Sequence, residues 1–284
     1  MTTTIAVDQL RTLVRAGGIT VLSGAGLSTE SGIPDYRGPT GALRRHAPMN
    51  FQAFVGDARA RHRYWARSYL GWRQIARARP NAGHRAVAAL QRLGRVDGVI
   101  TQNVDGLHQA AGAADVVELH GGLDRVICLS CRARESRVAI DARLRAANPD
   151  FDAEVAQINP DGDAELADEQ LIAFRMVGCF LCGGDLVKPD VVFFGENVPR
   201  PRVERCYAMV DAARAVLVLG SSLTVMSGLR FVRRAAARGT AIAIVNQGPT
   251  RGDELATLRV DAPLGEVLPA LVRDVADLHA SAGS

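Results

Sequence analysis

The chain has 284 residues, nearly twice the roughly 150-residue domain length, so it is one enlarged unit or a main domain carrying a smaller one. At 48% apolar and 23% charged residues it can fill a core, which excludes a wholly disordered chain. Its formal charge of +4 is carried by arginine, because Lys188 is the only lysine; so small an excess points to no direct sequence-specific nucleic-acid binding.

Met1 to Val14 lacks the basic start, apolar stretch and cleavage site of a secretory signal, and an opening helix is expected around Val7–Arg15. No run of 18 apolar residues follows, so a soluble, cytoplasmic chain without membrane partners is expected, and a monomer. Ile19-Thr20-Val21-Leu22 reads as a buried strand running into Ser23-Gly24-Ala25-Gly26-Leu27-Ser28. Residues 40–76 are dense in Arg and aromatics, and His62–Trp72 reads as an amphipathic helix that is either a packing face or a cover over a site. Further strands are expected at Gly98–Thr101, Val116–Leu119, Ala215–Gly220 and Ala241–Asn246. Helices are expected at His84–Leu93, Val203–Ala213, Gly228–Arg238 and Gly265–Ala276. Continuous apolar strands suit a parallel sheet buried on both faces, so the fold class is α/β: a Rossmann-like parallel sheet with helices on both faces.

Residues 128–182 break that rhythm with two cysteine pairs, Cys128-x2-Cys131 and Cys179-x2-Cys182, and the polar stretch Asn159–Glu165. Each pair lets a turn aim two thiolates at one ion, and four soft ligands favour one structural Zn²⁺ with no open position for catalytic water. An iron–sulfur centre has the same ligands but no supporting sequence around it. Asp161-Gly162-Asp163 lacks the full calcium-loop pattern and reads as an exposed turn. Cys206 lies in an expected helix and reads as an ordinary buried cysteine. The parallel sheet is thus expected to carry a small inserted domain made of a zinc ribbon and a helical module, with 1–37, 77–121 and 188–284 as the nucleotide-binding domain, 38–76 as a cofactor-loop and helical insertion, and 122–187 as the zinc module.

Gly24-Ala25-Gly26 after a strand allows close backbone approach to a pyrophosphate, although a lone Gly-x-Gly is weak by itself. There is no Gly-Lys-Ser/Thr ending, which disfavours a P-loop ATPase. Gln102, Asn103, Asp105 and His108 follow a strand end, where open parallel sheets bind ligands; Asn103 and Asp105 could hold an amide or a ribose, and His108 reads as a packed or capping histidine. His120 sits between an apolar strand and Gly121-Gly122, and is read as a general base. No serine elbow accompanies it, which weakens a covalent hydrolase.

Together these segments resemble the sirtuin family: Gly24–Ser28 with Gly32–Arg37, Thr101–His108, Leu119-His120-Gly121, the four cysteines, Lys188–Glu196, and Gly220-Ser221-Ser222. The resemblance implies an NAD-consuming protein-lysine deacylase. It moves an acyl group from an acyl-lysine protein or peptide to ADP-ribose, releasing nicotinamide and O-acyl-ADP-ribose; a protein mono-ADP-ribosyltransferase is the alternative. It further implies that Ala25 and Gly26 hold pyrophosphate and that Asp35, Tyr36 and Arg37 shape a cofactor loop. Gln102 would touch the nicotinamide ribose, and Asn103 and Asp105 would form the nicotinamide pocket. Gly220, Ser221 and Ser222 would lie near phosphate or ribose, and Asn246 at the adenosine ribose. Asn103 joins His120 as catalytic, with His120 deprotonating a ribose hydroxyl. Val192, Phe193, Phe194, Gly195 and Glu196 would receive the substrate, with the stretch after Ser222 as the second edge for an extended peptide.

Arg63–Arg67, Pro160–Asp163 and Ile244–Arg251 look like the class II sirtuins, typified by the mitochondrial sirtuin that removes lipoyl and branched acyl groups, and a bacterial relative is expected. Two departures bear on specificity. Thr224–Gly228 lacks the proline of many deacetylase-type members, so the peptide-binding edge is expected to differ, and taken with the second departure neither succinyl preference nor strong acetyl turnover is expected. The Gly38–Pro48 segment, despite Arg44 and Arg45, lacks the Tyr and Arg pair of the succinyl-preferring members.

Overall fold

The computed structural model describes residues 2–37, 48–151, 159–164 and 171–282. In chain order the elements are α1 (Thr2–Ala16), β1 (Ile19–Ser23), α2 (Phe51–Gly56), α3 (Ala58–Arg77), α4 (Ala82–Arg92), β2 (Val96–Thr101), α5 (Leu107–Ala110), β3 (Val116–Glu118), β4 (Gly121–Cys128), β5 (Arg134–Ser136), α6 (Arg137–Ala147), β6 (Val187–Val191), α7 (Arg200–Ala212), β7 (Ala215–Leu219), α8 (Met226–Ala237), β8 (Ala241–Val245), β9 (Leu258–Val260) and α9 (Leu264–Ala282). Two 3₁₀ turns, Ala25–Leu27 and Thr29–Ser31, follow β1.

Six strands form one parallel sheet in the order β3-β2-β1-β7-β8-β9. β1 and β7 are buried along their whole length, as their largely apolar sequences suit strands covered on both faces. One cover comes from α1, α4 and α9 through Leu10, Val14, Val87, Leu90 and Leu268. The other comes from α7 and α8 through Cys206, Val210, Phe231 and Val232. Asn81 starts α4 by accepting the His84 amide at 3.2 Å while the His84 ring faces the Asn81 amide, a capping box. The Rossmann-like part of the expected fold is present. The opening helix begins earlier than expected, at Thr2, and the last runs on to Ala282.

A second, antiparallel sheet, β5-β4-β6, carries the cysteines. It shares one apolar cluster with the helices before it: Phe54 of α2, Tyr64, Trp65 and Tyr69 of α3, Ile140 and Leu144 of α6, Val126 of β4 and Val187 of β6. The described parts of the 38–76 insertion and of the 122–187 module thus share one core, and β6 continues it, although residue 188 is expected to reopen the nucleotide-binding domain. The physical reason is pairing: β6 completes the ladder of β4, with Ile127 opposite Lys188 and Cys128 opposite Val187. Residues 38–47, on which the acyl-specificity expectation for Gly38–Pro48 mostly rests, lie outside the described residues, as does Glu165.

Candidate active site and zinc site

The strand order fixes where a ligand can bind. Chain connections run outward from β1 to β2 and β3 on one side and from β7 to β8 and β9 on the other, so the direction reverses between β1 and β7. At such a point the loops leaving the carboxyl ends of the strands part and open a crevice. A cleft of about 1090 Å³ lies there. It is lined by Gly24, Ala25 and Gly26 after β1, Gln102, Asn103 and Asp105 after β2, and His120 after β3. Gly220, Ser221 and Ser222 follow β7 and Asn246 follows β8, while Asp35, Tyr36 and Arg37 border it from the loop beyond β1. Val192 to Glu196 make the facing wall. All the site residues expected from sequence apart from the cysteines therefore meet in one cavity.

Gly24 shows why the first loop needs glycine. A Cβ there would stand 2.7 Å from Ser221 Cβ and 2.8 Å from the Gly220 carbonyl, so a side chain would push the β1 and β7 loops apart. The two loops are stitched instead by Gly26 N donating to Gly220 O at 2.9 Å. This close backbone approach at the switch point, with hydroxyls and amides around it, fits a dinucleotide: Gly24–Gly26 and Gly220–Ser222 would hold its phosphates, and Gln102 and Asn246 its ribose hydroxyls.

Asn103 is 9% exposed and held on both sides, its Nδ2 donating to Gly24 O and to Ser28 Oγ, each at 3.0 Å. Ser28 Oγ donates to Asp105 Oδ2 at 2.7 Å, and Asp105 Oδ1 accepts from Leu107 N at 2.9 Å. Burial raises the Asp105 carboxyl, and these two hydrogen bonds partly offset the rise. Behind them, Ser23 Oγ lies 2.9 Å from Thr101 Oγ1 and 2.8 Å from His108 Nε2, and Thr101 Oγ1 accepts the Asn103 amide at 3.1 Å. His108 is packed, as its sequence suggested, at 1% exposure. Sequence reasoning gave no role to Ser28, although the hydroxyls crowding Ser28–Ser31 were the available signal.

His120 Nδ1 faces the Gln102 carbonyl at 3.0 Å, and Nε2 faces Ser227 Oγ at 2.8 Å. A carbonyl only accepts, so in the neutral ring Nδ1 carries the proton and Nε2 accepts from the Ser227 hydroxyl at the cleft wall. Burial pushes His120 down to about 4, opposed by the Gln102 carbonyl and aided by the Arg202 charge, so the ring is neutral at pH 7. Gly121, next in the chain, is in the left-handed region at φ 83, and a Cβ there would meet the Asp190 carbonyl at 1.9 Å. Only glycine lets the chain turn from β3 into β4 with His120 at the corner. Ser227, at the start of α8, was missed in the sequence because its partner lies 107 positions away.

At the far end of the second sheet the four sulfurs of Cys128, Cys131, Cys179 and Cys182 lie within 4.8 Å of one another. Cys128 and Cys182 are 3.7 Å apart and Cys131 and Cys179 3.6 Å. These are too long for disulfides and match the roughly 3.8 Å edge of a sulfur tetrahedron around zinc with ~2.3 Å bonds. The Leu181 amide donates to Cys179 Sγ at 3.4 Å, which supports a thiolate. The donor set fits one structural Zn²⁺. All four positions are filled by protein, so the ion would organise the fold and supply no Lewis acid to the cleft.

A family model described as the Sir2 family matches residues 24–227, well over half of the chain. The chain belongs to the Sir2 family. Among its relatives, NAD-dependent protein deacetylase 1 of Streptomyces coelicolor is 64% identical over 255 residues, covering 90% of this chain and 85% of the relative. NAD-dependent protein deacetylase of Bordetella pertussis is 52% identical over 252 residues, covering 89% and 92%. A solved Sir2 homologue in complex with NAD superposes with a TM-score of 0.73 at 32% identity, covering 95% of this chain and 94% of that one. A Sir2 structure holding a p53 peptide and NAD⁺ does so with 0.72 at 27% identity, covering 96% and 98%. This sirtuin-type enzyme thus has both sites expected of its cofactors, an NAD cleft and a four-cysteine zinc site. No described helix is long and apolar enough to cross a membrane.

Proposed function

We propose that this sirtuin removes acyl groups from protein lysines with consumption of NAD, transferring the acyl group to ADP-ribose and releasing nicotinamide. The observation that carries the reading is the placement of His120 between the dinucleotide loops and the Val192–Glu196 wall, a neutral imidazole whose Nε2 accepts from Ser227 Oγ in the cleft lining, where a ribose hydroxyl that displaces the serine would meet the same lone pair. In this reading Asn103 and Asp105 bind the nicotinamide end of NAD, and an extended acyl-peptide lies between Gly195-Glu196 and the stretch after Ser222. Its acyl-lysine passes Phe193 and Phe194. NAD supplies the electrophilic ribose carbon, and the acyl carbonyl oxygen bonds to that carbon as the bond to nicotinamide breaks. His120 Nε2 then takes the proton of a ribose hydroxyl, whose oxygen attacks the acyl carbon; water releases the lysine amine.

Within the family we place the chain in class II. The support is that Pro160 and Asp161, on the turn between the cysteine pairs, reach the cleft wall, so the long interval in the zinc module becomes part of the substrate surface. A panel of acetyl-, succinyl-, long-chain-, methylglutaryl- and lipoyl-lysine peptides, assayed for nicotinamide release, tests both levels. Release that requires an acyl-lysine is expected, with lipoyl or methylglutaryl ahead of acetyl. Absence of release with every peptide would overturn the deacylase, and labelled ADP-ribose left on protein side chains would favour the transferase. His120→Ala should lower turnover by about 10²–10⁴-fold while leaving NAD binding by calorimetry in place.

A further inference from the structure

The only lysine of the chain is buried beneath the peptide-binding wall, with its side chain 3% exposed. A buried ammonium is costly unless it is compensated on several sides, and Lys188 is. Its Nζ lies 3.0 Å from Glu196 Oε2 and donates to the Val191 carbonyl. It also faces the ring of Phe193 at 4.6 Å from the centre and that of Phe51 at 5.9 Å. Glu196 Oε2 has a second task, accepting the Phe193 amide at 2.9 Å, while Glu196 N closes a tight turn on Phe193 O at 3.0 Å. Gly195 gives that turn its left-handed residue at φ 80.

From outside, Phe51 N donates to Phe194 O at 2.9 Å and Gln52 Nε2 to Gly195 O at 3.3 Å. From the base side, Val192 N donates to His120 O at 2.7 Å. The turn is thus held at its rim by neutral hydrogen bonds and at its centre by one charge. Without that charge the Glu196 carboxylate loses its partner and gains by swinging to water, which releases the Phe193 amide and lets the turn open.

We propose that Lys188 is a positioning residue for substrate, its ammonium holding the Phe193–Glu196 turn in the form that pairs with the acyl-peptide. The inference rests on the deacylase reading. It separates two affinities, because the dinucleotide loops at Gly24–Ser28 and Gly220–Ser222 make none of these contacts. Lys188→Met keeps the stem and removes the charge, and Lys188→Arg keeps a charge.

Fluorescence anisotropy with a labelled acyl-lysine peptide, using the acyl group that wild type turns over best, and calorimetry with ADP-ribose read the two affinities apart from turnover. The methionine variant should bind peptide at least tenfold more weakly and ADP-ribose within twofold of wild type. The arginine variant should recover peptide binding to within threefold. Should the methionine variant not fold by circular dichroism, Lys188→Gln, which retains donors to Val191 O and Glu196, should show the same split at about threefold or more. Unchanged peptide affinity, or peptide and ADP-ribose affinities falling together, would overturn the role. Wild-type protein that releases no nicotinamide with any acyl-peptide would instead sink the deacylase reading.

Discussion

The two bodies of this molecule bury charge and apolar surface in opposite ways. The parallel sheet buries mainly apolar strands between helices, and polar loop residues at the carboxyl ends of those strands form the cleft. The zinc body has three antiparallel strands, of which β5 is largely exposed, and its interior holds a whole arginine. Arg137 is 0% exposed, donates to Ser68 O at 2.7 Å and Ser68 Oγ at 3.1 Å, and lies over the rings of Trp65 and Trp72 at 4.9 and 5.4 Å. A body so dependent on polar and metal links should fail separately from a body held by its apolar sheet.

Zinc removal is the strongest way to test that separation. Both tryptophans of the chain, Trp65 and Trp72, are on α3 of the zinc body, and Trp65 Nε1 donates to Val187 O at 2.8 Å. Tryptophan emission therefore reports this body alone. Chelation, or Cys131→Ser, should shift emission to the red and reduce acyl-peptide turnover more than a hundredfold, because β6 leads directly into the Val192–Glu196 wall. Most far-UV helicity should persist. Loss of both signals in one transition would show that the two bodies form a single cooperative unit.

The difference between the bodies also decided what could be read in advance. β1, β7 and β8 are continuous apolar runs ending in Gly or polar residues, so strand, turn and candidate ligand loop are all local in the sequence. The helix around His62–Trp72 was visible for the same reason, through its aromatic spacing. β4 was not: Asp124 and Arg125 interrupt its apolar residues, and its pairing with β6 joins segments some sixty positions apart. Arg137 looked like any surface arginine, since only the folded partners Ser68, Trp65 and Trp72 make it interior. In the cleft, the residue types and their loops were legible, whereas the Ser28–Asn103–Asp105 chain and the Ser227–His120 contact exist only because the strand order brings distant loops together.

Arg137 provides the next test. Truncation to Ala removes a buried stem and leaves the Ser68 groups without their partner, and should destabilise the zinc body by about 3 kcal/mol. Burial already holds this guanidinium down to about 10, against the Tyr64 and Asp141 interactions that raise it, so the charge itself is poorly accommodated. Arg137→Met leaves the Ser68 groups equally unpartnered but keeps most of the buried volume, and should cost less than the alanine variant, about 1–2 kcal/mol. Urea unfolding followed by tryptophan emission measures both. Equal losses for the two variants would mean that the charge, with its hydrogen bonds and ring contacts, matters more than the packing.

Acid gives the finest comparison, because the sheet body stores neutral histidines. Burial pushes His84 down to about 4, helped by the Arg85 charge, and pushes His108 down to about 3, helped by His84. Their rings meet edge to face at 5.2 Å between centres. In the unfolded chain both titrate near 6.5. Below that pH the unfolded state binds protons that the folded state refuses, so their contribution to stability is complete above about pH 6.5 and is lost as pH falls toward 4. Zinc release by protonated thiolates also weakens the protein in acid, but that loss is common to wild type and to a histidine variant. His108→Gln keeps a donor for Ser23 Oγ and cannot titrate. The slope of its unfolding free energy between pH 6 and 4.5 should therefore be shallower than that of wild type by up to about 1.4 kcal/mol per pH unit, one proton's worth. Identical slopes would exclude His108 as a source of the acid sensitivity.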